Sequence, residues 1–181
     1  MRFRVGPADA VSEIHLDPAP LRVAPPGTRM VWRRLDGIAT ERGVIGPLQA
    51  DRLAHFLWEG RPSSMYFFCI GCAGEEVQFD HAAYERLFPL EVGRSVSFER
   101  SAHELKWTNE ITVTGTERLA LEFGDVDTYV LACETRGRNN PFHARNDIWY
   151  APSVGWNVQF RYEDSRGVAY GWQAIAFIPP H

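Results

Sequence analysis

Two thiols stand three positions apart in Cys69-Ile70-Gly71-Cys72-Ala73-Gly74, with a glycine after each bend. Glycine lets backbone amides turn toward sulfur, so the stretch has the form of a metal-binding knuckle. A structural zinc site needs four ligands. The chain has 3 cysteines and no second Cys-x-x-Cys, so Cys133 and a histidine such as His81 would have to complete the set. Dithiol redox chemistry wants the first thiol at a helix N-terminus, where the dipole lowers its pKa. Here an apolar, strand-like run comes before the pair and Gly74-Glu75-Glu76 follows. Residue 73 is Ala, so the spacing is not that of a haem attachment site either. The plain reading is a hairpin whose thiols are buried or joined to each other. The chemical alternative is a metal- or thiol-dependent enzyme built around Cys69 and Cys72.

A second candidate lies in residues 136–147. Arg136, Arg138, Arg145 and His143 gather there with Asn139, Asn140 and Asn146, ahead of a strand. Guanidinium groups and amides at the mouth of a barrel suit an anionic or polar ligand; the plain alternative is a solvated hairpin loop. Elsewhere the chemistry thins out. The 6 histidines show no metalloprotease spacing, and Ser153 lacks the Gly-x-Ser-x-Gly elbow. No catalytic residue and no cofactor is read from the chain, and the balance leans against an enzyme.

The third candidate is aromatic. After the turn at Pro152-Ser153-Val154-Gly155, the chain alternates: Trp156, Val158, Phe160 and Tyr162 on one side, Asn157, Gln159 and Arg161 on the other. Period two marks a half-buried antiparallel strand. A face shared by Trp156 and Phe160 is either core filling or a groove for an apolar, lipid-like or peptide ligand.

These groups need a scaffold, and the rest of the sequence predicts one rich in strands. Aromatics make up 13% of 181 residues, which suits pleated, half-buried surfaces. Residues 1–27 carry Pro7, Pro18, Pro20, Pro25 and Pro26, and read as an extended arm with one short strand at 13–16. Residues 28–181 read as one antiparallel domain. Strands are expected at 30–35, 38–45, 51–58, 64–70, 75–79, 94–100, 110–116, 126–135, 145–150, 154–162 and 168–177, separated by Gly, Asn and Asp signals. One short helix is expected near 80–88, capped by Asp80 and stopped by Pro89. The fold class is therefore all-β: a single-domain meander forming a curved sheet or half-open barrel. The net charge of -4 and the scattered arginines argue against a nucleic-acid partner. No apolar run is long enough to cross a bilayer.

Three stretches carry a family resemblance. Phe88-Pro89-Leu90-Glu91-Val92-Gly93-Arg94, then Gly124-Asp125-Val126-Asp127-Thr128-Tyr129-Val130, then Trp149-Tyr150-Ala151-Pro152-Ser153-Val154-Gly155 together resemble the TapB-like bacterial domains of unknown function over about residues 85–177. The resemblance implies an antiparallel β meander and a periplasmic or envelope location, with a secreted or lipid-anchored form; Met1 as the native start would instead imply the cytoplasm. It supplies no catalytic residues. The joint expectation is a non-enzymatic envelope protein that binds an apolar small molecule, a peptide or a protein partner.

Overall fold

Runs of aromatic and β-branched residues punctuated by tight turns pair into one antiparallel sheet of 11 strands. The structure is a computed structural model and describes residues 14–38, 40–46, 53–68 and 77–181, with the backbone alone for 53–54 and 64–66. The strands are β1 (Arg29–Arg34), β2 (Glu41–Ile45), β3 (Leu53–Trp58), β4 (Arg61–Tyr66), β5 (Val77–Phe79), β6 (Ser95–Ala102), β7 (Leu105–Leu121), β8 (Gly124–Gly137), β9 (His143–Ala151), β10 (Trp156–Asp164) and β11 (Ala169–Ile178). Their order across the sheet is β4-β3-β2-β1-β11-β10-β9-β8-β7-β6-β5. Each strand thus neighbours its sequence neighbour, β1 pairs with β11, and the two edges, β4 and β5, are consecutive along the chain. The sheet is curved and open, as the sequence predicts. Pro62 sits in the edge strand β4, where its missing N–H breaks no inner ladder.

The strands β7 and β8 run well past their predicted ends and pair from Trp107–Gly137 to Leu121–Gly124. Lys106 and Thr108 fall before the strand expected at 110–116. In the sheet they are the outward half of a strand whose inward half is Trp107, Asn109 and Ile111. Residues 14–16 are not a strand; the first ladder contact of the arm is a single bridge between Ala19 and Leu90. The helix α1 spans only His81–Glu85. The Ala83 N–H donates to Asp80 Oδ1 at 2.9 Å, which is the predicted cap, and Ala83 and Tyr84 are buried.

Residues 14–24 cross the concave face of the sheet and bind strand after strand. Thr116 Oγ1 donates to the Ile14 carbonyl. The Tyr129 hydroxyl donates to the Asp17 carbonyl at 2.5 Å, and the Tyr150 hydroxyl to the Arg22 carbonyl at 2.6 Å. The Ala24 N–H donates to Gly155 O at 2.9 Å. Beside the arm lies an aromatic cluster in which Phe68 meets Tyr150 edge-on at 5.3 Å, and Phe79 meets Phe98 at 4.7 Å and Tyr84 at 5.6 Å. Such tilted pairs add to the burial of their area.

The ladder of β10 departs from the simple alternation its sequence predicts. Trp156 pairs with Ala151 and Asn157 with Tyr150, but Gln159 then pairs with Trp149 and Phe160 with Ile148. Val158 is the extra residue of a β-bulge. Because β9 alternates without interruption, partners Ala151 and Ile148 point to opposite faces, so Trp156 and Phe160 do as well. The clean alternation of the sequence conceals this flip.

Candidate functional site: a cleft at the hairpin rim

The turns β1–β2, β6–β7, β8–β9 and β10–β11 all lie at one end of the sheet, while the arm and α1 occupy the other. Between three of these hairpins opens a cleft of about 570 Å³ walled by Arg100, Leu105, Trp107, Asn140, Pro141, Phe142, Ser165 and Arg166. That size suits a small organic ligand.

The loop between β8 and β9 forms the cleft's central wall and is stitched to both neighbouring hairpins. Toward β6–β7, Asn139 Oδ1 accepts from the Lys106 N–H at 3.0 Å, and Asn139 Nδ2 donates to Glu104 O at 2.7 Å. Toward β10–β11, the Ser165 N–H donates to His143 O at 2.8 Å, and the His143 N–H donates to Ser165 Oγ at 3.1 Å. The loop closes on itself through the Gly137 N–H and Phe142 O at 2.6 Å. A Cβ on Gly137 would stand 2.4 Å from the Asn140 carbonyl oxygen, so only glycine admits this closure.

Two arginines in the cleft lie over aromatic rings. Arg100 Cζ is 4.6 Å from the Trp107 ring centroid, and Arg166 Cζ is 5.2 Å from that of Phe142. Arg100 follows Val96 and Phe98 on the inward side of β6 and registers directly opposite Trp107. Burial pulls its guanidinium below the ordinary arginine value, and Tyr162 is close enough to act on it electrostatically. Arg166 is fixed by Asp164, whose carboxylate that guanidinium holds down to about 2. The Asp164 carboxylate also accepts from the Arg166 and Val168 N–H groups, which shapes the hairpin. Cation–π stacking occupies one face of each guanidinium, and Arg166 Nε and Nη2 are held by Asp164.

Below the cleft the concave face stays polar for two further steps. Asn109 is 2% exposed and accepts from Thr135 Oγ1 at 2.9 Å. Asn146 is 5% exposed, registers opposite Cys133 on one side and Tyr162 on the other, and has no hydrogen-bond partner for either amide atom. Beneath them lie the apolar Leu131 and Ile148. Burial raises the Cys133 thiol well above its usual range, which keeps it protonated.

The six ligand candidates read from the sequence do not converge. Arg136, His143 and Arg145 share a second hollow of about 510 Å³ on the far side of the same loop. There Arg136 is paired to Glu134 at 2.6 Å and Arg145 to Asp147 at 3.0 Å. Arg138 lines neither hollow and pairs with Glu99. Trp156 is 6% exposed at the opposite end of β10. Phe160 packs between Trp32 and Tyr170 at 5.7 and 6.2 Å. Of the metal candidates, Cys69 and Cys72 lie outside the described residues, and His81 opens α1 with its ring edge-on to Phe79 at 4.9 Å. Sequence reasoning missed Arg100, Trp107, Phe142 and Arg166. The available signal was Arg100 itself, a charge in the apolar half of an alternating strand.

No protein-family profile and no curated protein sequence matches the chain. Solved structures do. YmcC, a hypothetical lipoprotein of Escherichia coli, superposes with a TM-score of 0.53 at 11% identity, covering 86% of this chain and 85% of its own. A candidate lipoprotein of Parabacteroides distasonis gives 0.48 at 12% identity over 90% of this chain and 100% of its own. A candidate exported protein of Bacteroides fragilis with a YmcC-like fold gives 0.41 at 8% identity over 88% of this chain and 99% of its own. No helix among the described residues is long and apolar enough to cross a membrane. What this chain has in common with YmcC is an all-β antiparallel fold.

Proposed function

We propose that the protein is a non-enzymatic binding protein of the bacterial envelope, of the TapB-like kind, that holds a small ligand with an anionic group and an apolar body in the rim cleft. The carrying observation is the pairing of each cleft arginine with an aromatic ring, Arg100 with Trp107 and Arg166 with Phe142. Flat apolar walls take the body of the ligand, and the positive charge of the cleft arginines attracts its anionic group. The envelope placement is supported by the fold shared with a hypothetical lipoprotein, and fractionation of the native host tests it.

Isothermal titration calorimetry with laurate, kept below its micelle concentration, tests the binding. The expected result is saturable one-to-one binding that weakens at least about tenfold in Trp107→Ala, with the folded state intact by circular dichroism. Absence of saturable binding, or binding indifferent to Trp107→Ala, overturns the reading.

A further inference from the structure

Six large apolar side chains among the described residues stand exposed, and they are not spread evenly. Leu35, Ile38, Leu105 and Val168 sit on or beside the hairpin turns at the cleft end of the sheet. Val92 and Ile178 sit at the other end, ahead of β6 and at the close of β11. Single exposed apolar residues need no explanation, but a set gathered around one site does. Leu105 is 46% exposed and is itself a wall of the cleft. Val168 is 42% exposed and closes the turn that carries the cleft residues Ser165 and Arg166; its carbonyl accepts from the Asp164 N–H at 2.9 Å. Between them the cleft adds Pro141, which is exposed, and the half-buried rings of Trp107 and Phe142. The tips of three neighbouring hairpins therefore present one apolar mouth.

The charge around this mouth is mainly positive. The cleft walls hold two guanidiniums, Arg100 and Arg166, and no carboxylate. The Arg166 side chain is 67% exposed while that of its partner Asp164 is fully covered, so the cation faces outward and its counter-charge lies behind it. Lys106, next to Leu105, is exposed as well. Glu104 is the one acidic residue in the tips at 103–106, 138–142 and 165–168, and Arg138 is offset by Glu99. The chain as a whole carries a net charge of -4. We propose that this end of the sheet docks onto the surface of an anionic bilayer, with Leu105 and Val168 inserted at headgroup level and Lys106 and Arg166 against the lipid phosphates. Apolar insertion and electrostatic attraction to anionic lipid add together in such binding. The docking rests on the reading of the cleft as a site for a small amphiphile and extends it: the ligand passes between bilayer and cleft without crossing water.

Co-sedimentation of the full chain with sucrose-loaded vesicles tests the docking. The wild-type protein is expected to bind phosphatidylcholine vesicles carrying about one-third phosphatidylglycerol, and to bind phosphatidylcholine alone at least about tenfold more weakly. Leu105→Ser with Val168→Ser should weaken binding to the anionic vesicles at least about tenfold, through lost apolar insertion. Val92→Ser with Ile178→Ser removes the two exposed apolar side chains of the far end and should change binding by less than about twofold. All four positions are exposed, and circular dichroism checks that both variants fold. Absence of binding, equal binding to the two kinds of vesicle, or equal losses in the two double variants overturns the docking. Laurate calorimetry on the wild-type chain separates this failure from that of the cleft. Laurate bound without vesicle binding removes the docking alone; vesicles bound without laurate remove the cleft reading, and the passage of ligand with it.

Discussion

Tyr129 on β8 and Tyr150 on β9 stand directly opposite each other in the ladder, and both hydroxyls reach the arm that crosses beneath them. Tyr129 donates to the Asp17 carbonyl. Tyr150 donates to the Arg22 carbonyl and accepts from the Arg22 N–H at 2.8 Å, so its hydroxyl satisfies both backbone groups of one arm residue. The pair turns a proline-rich segment with no ladder of its own into an inner layer of the domain.

Removing these hydroxyls is expected to loosen the arm before the sheet. Tyr150→Phe leaves two backbone groups of Arg22 without their partner and should lower stability by about 1–3 kcal/mol, with Tyr129→Phe at the low end of that range. Urea unfolding gives the magnitude. Limited proteolysis should show earlier cleavage within residues 14–24 than within the strands.

Gly155 and Gly167 both adopt left-handed backbone, with φ of 72° and 81°. They differ in surroundings. A Cβ at Gly155 would stand 2.6 Å from Ala24 N and 2.9 Å from Val23 C, whereas one at Gly167 meets nothing within 4 Å. Gly167→Ala should therefore cost about 1 kcal/mol of backbone strain, and Gly155→Ala clearly more, because the arm must move as well. Paired thermal melts decide it; equal losses would mean that the arm does not press on Gly155.

Burial pushes the Tyr150 hydroxyl up to about 12, from a value near 10 when exposed. A group whose folded pKa is raised contributes stability that is fully present below the unfolded value. That contribution is lost as pH rises through the folded one. Between about pH 10 and 12 the unfolded chain ionises first, and the domain should lose on the order of 2–3 kcal/mol from this residue. Alkaline urea titrations of wild type and Tyr150→Phe check it: the phenylalanine variant should show a shallower decline.

Asp164 behaves in the opposite sense. The Arg166 guanidinium first, and backbone N–H groups after it, hold its carboxylate down to about 2. Its contribution is present above the unfolded value near 3.8 and is lost as pH falls through the folded one. The protection factors of the Arg166 and Val168 amides against hydrogen exchange should fall on acidification through that window. Asp164→Asn should remove most of this pH dependence and loosen the Arg166 side of the cleft.

The hollow around Arg136 and Arg145 is expected to be silent. Both arginines are exposed and already paired to neighbouring carboxylates. Exposed pairs of this kind contribute under about 1 kcal/mol. Arg136→Ala and Arg145→Ala should leave both stability and laurate binding within about that margin, measured by the same melts and calorimetry.

Local sequence determined much of the form. Alternation and turn residues set the strands, Asp80 set the start of the helix, and Gly155 and Gly167 set their turns, because each depends on residues a few positions apart. The tertiary structure decided the rest. Val158 looks like an ordinary member of an alternating strand. It becomes a bulge only because β9 offers one residue where β10 offers two, and that mismatch sends Trp156 and Phe160 to opposite faces. Arg136, Arg138 and His143 cluster in sequence, yet only Arg136 and His143 stay together, opposite each other in the β8–β9 ladder, while Arg138 pairs with Glu99. Arg100, Trp107, Phe142 and Arg166 come from four separate segments and form one cleft, because a curved sheet brings the ends of its hairpins to a single rim. No spacing rule within a chain of 181 residues reports which distant strands will share an edge; hydrogen-bonded register between them does.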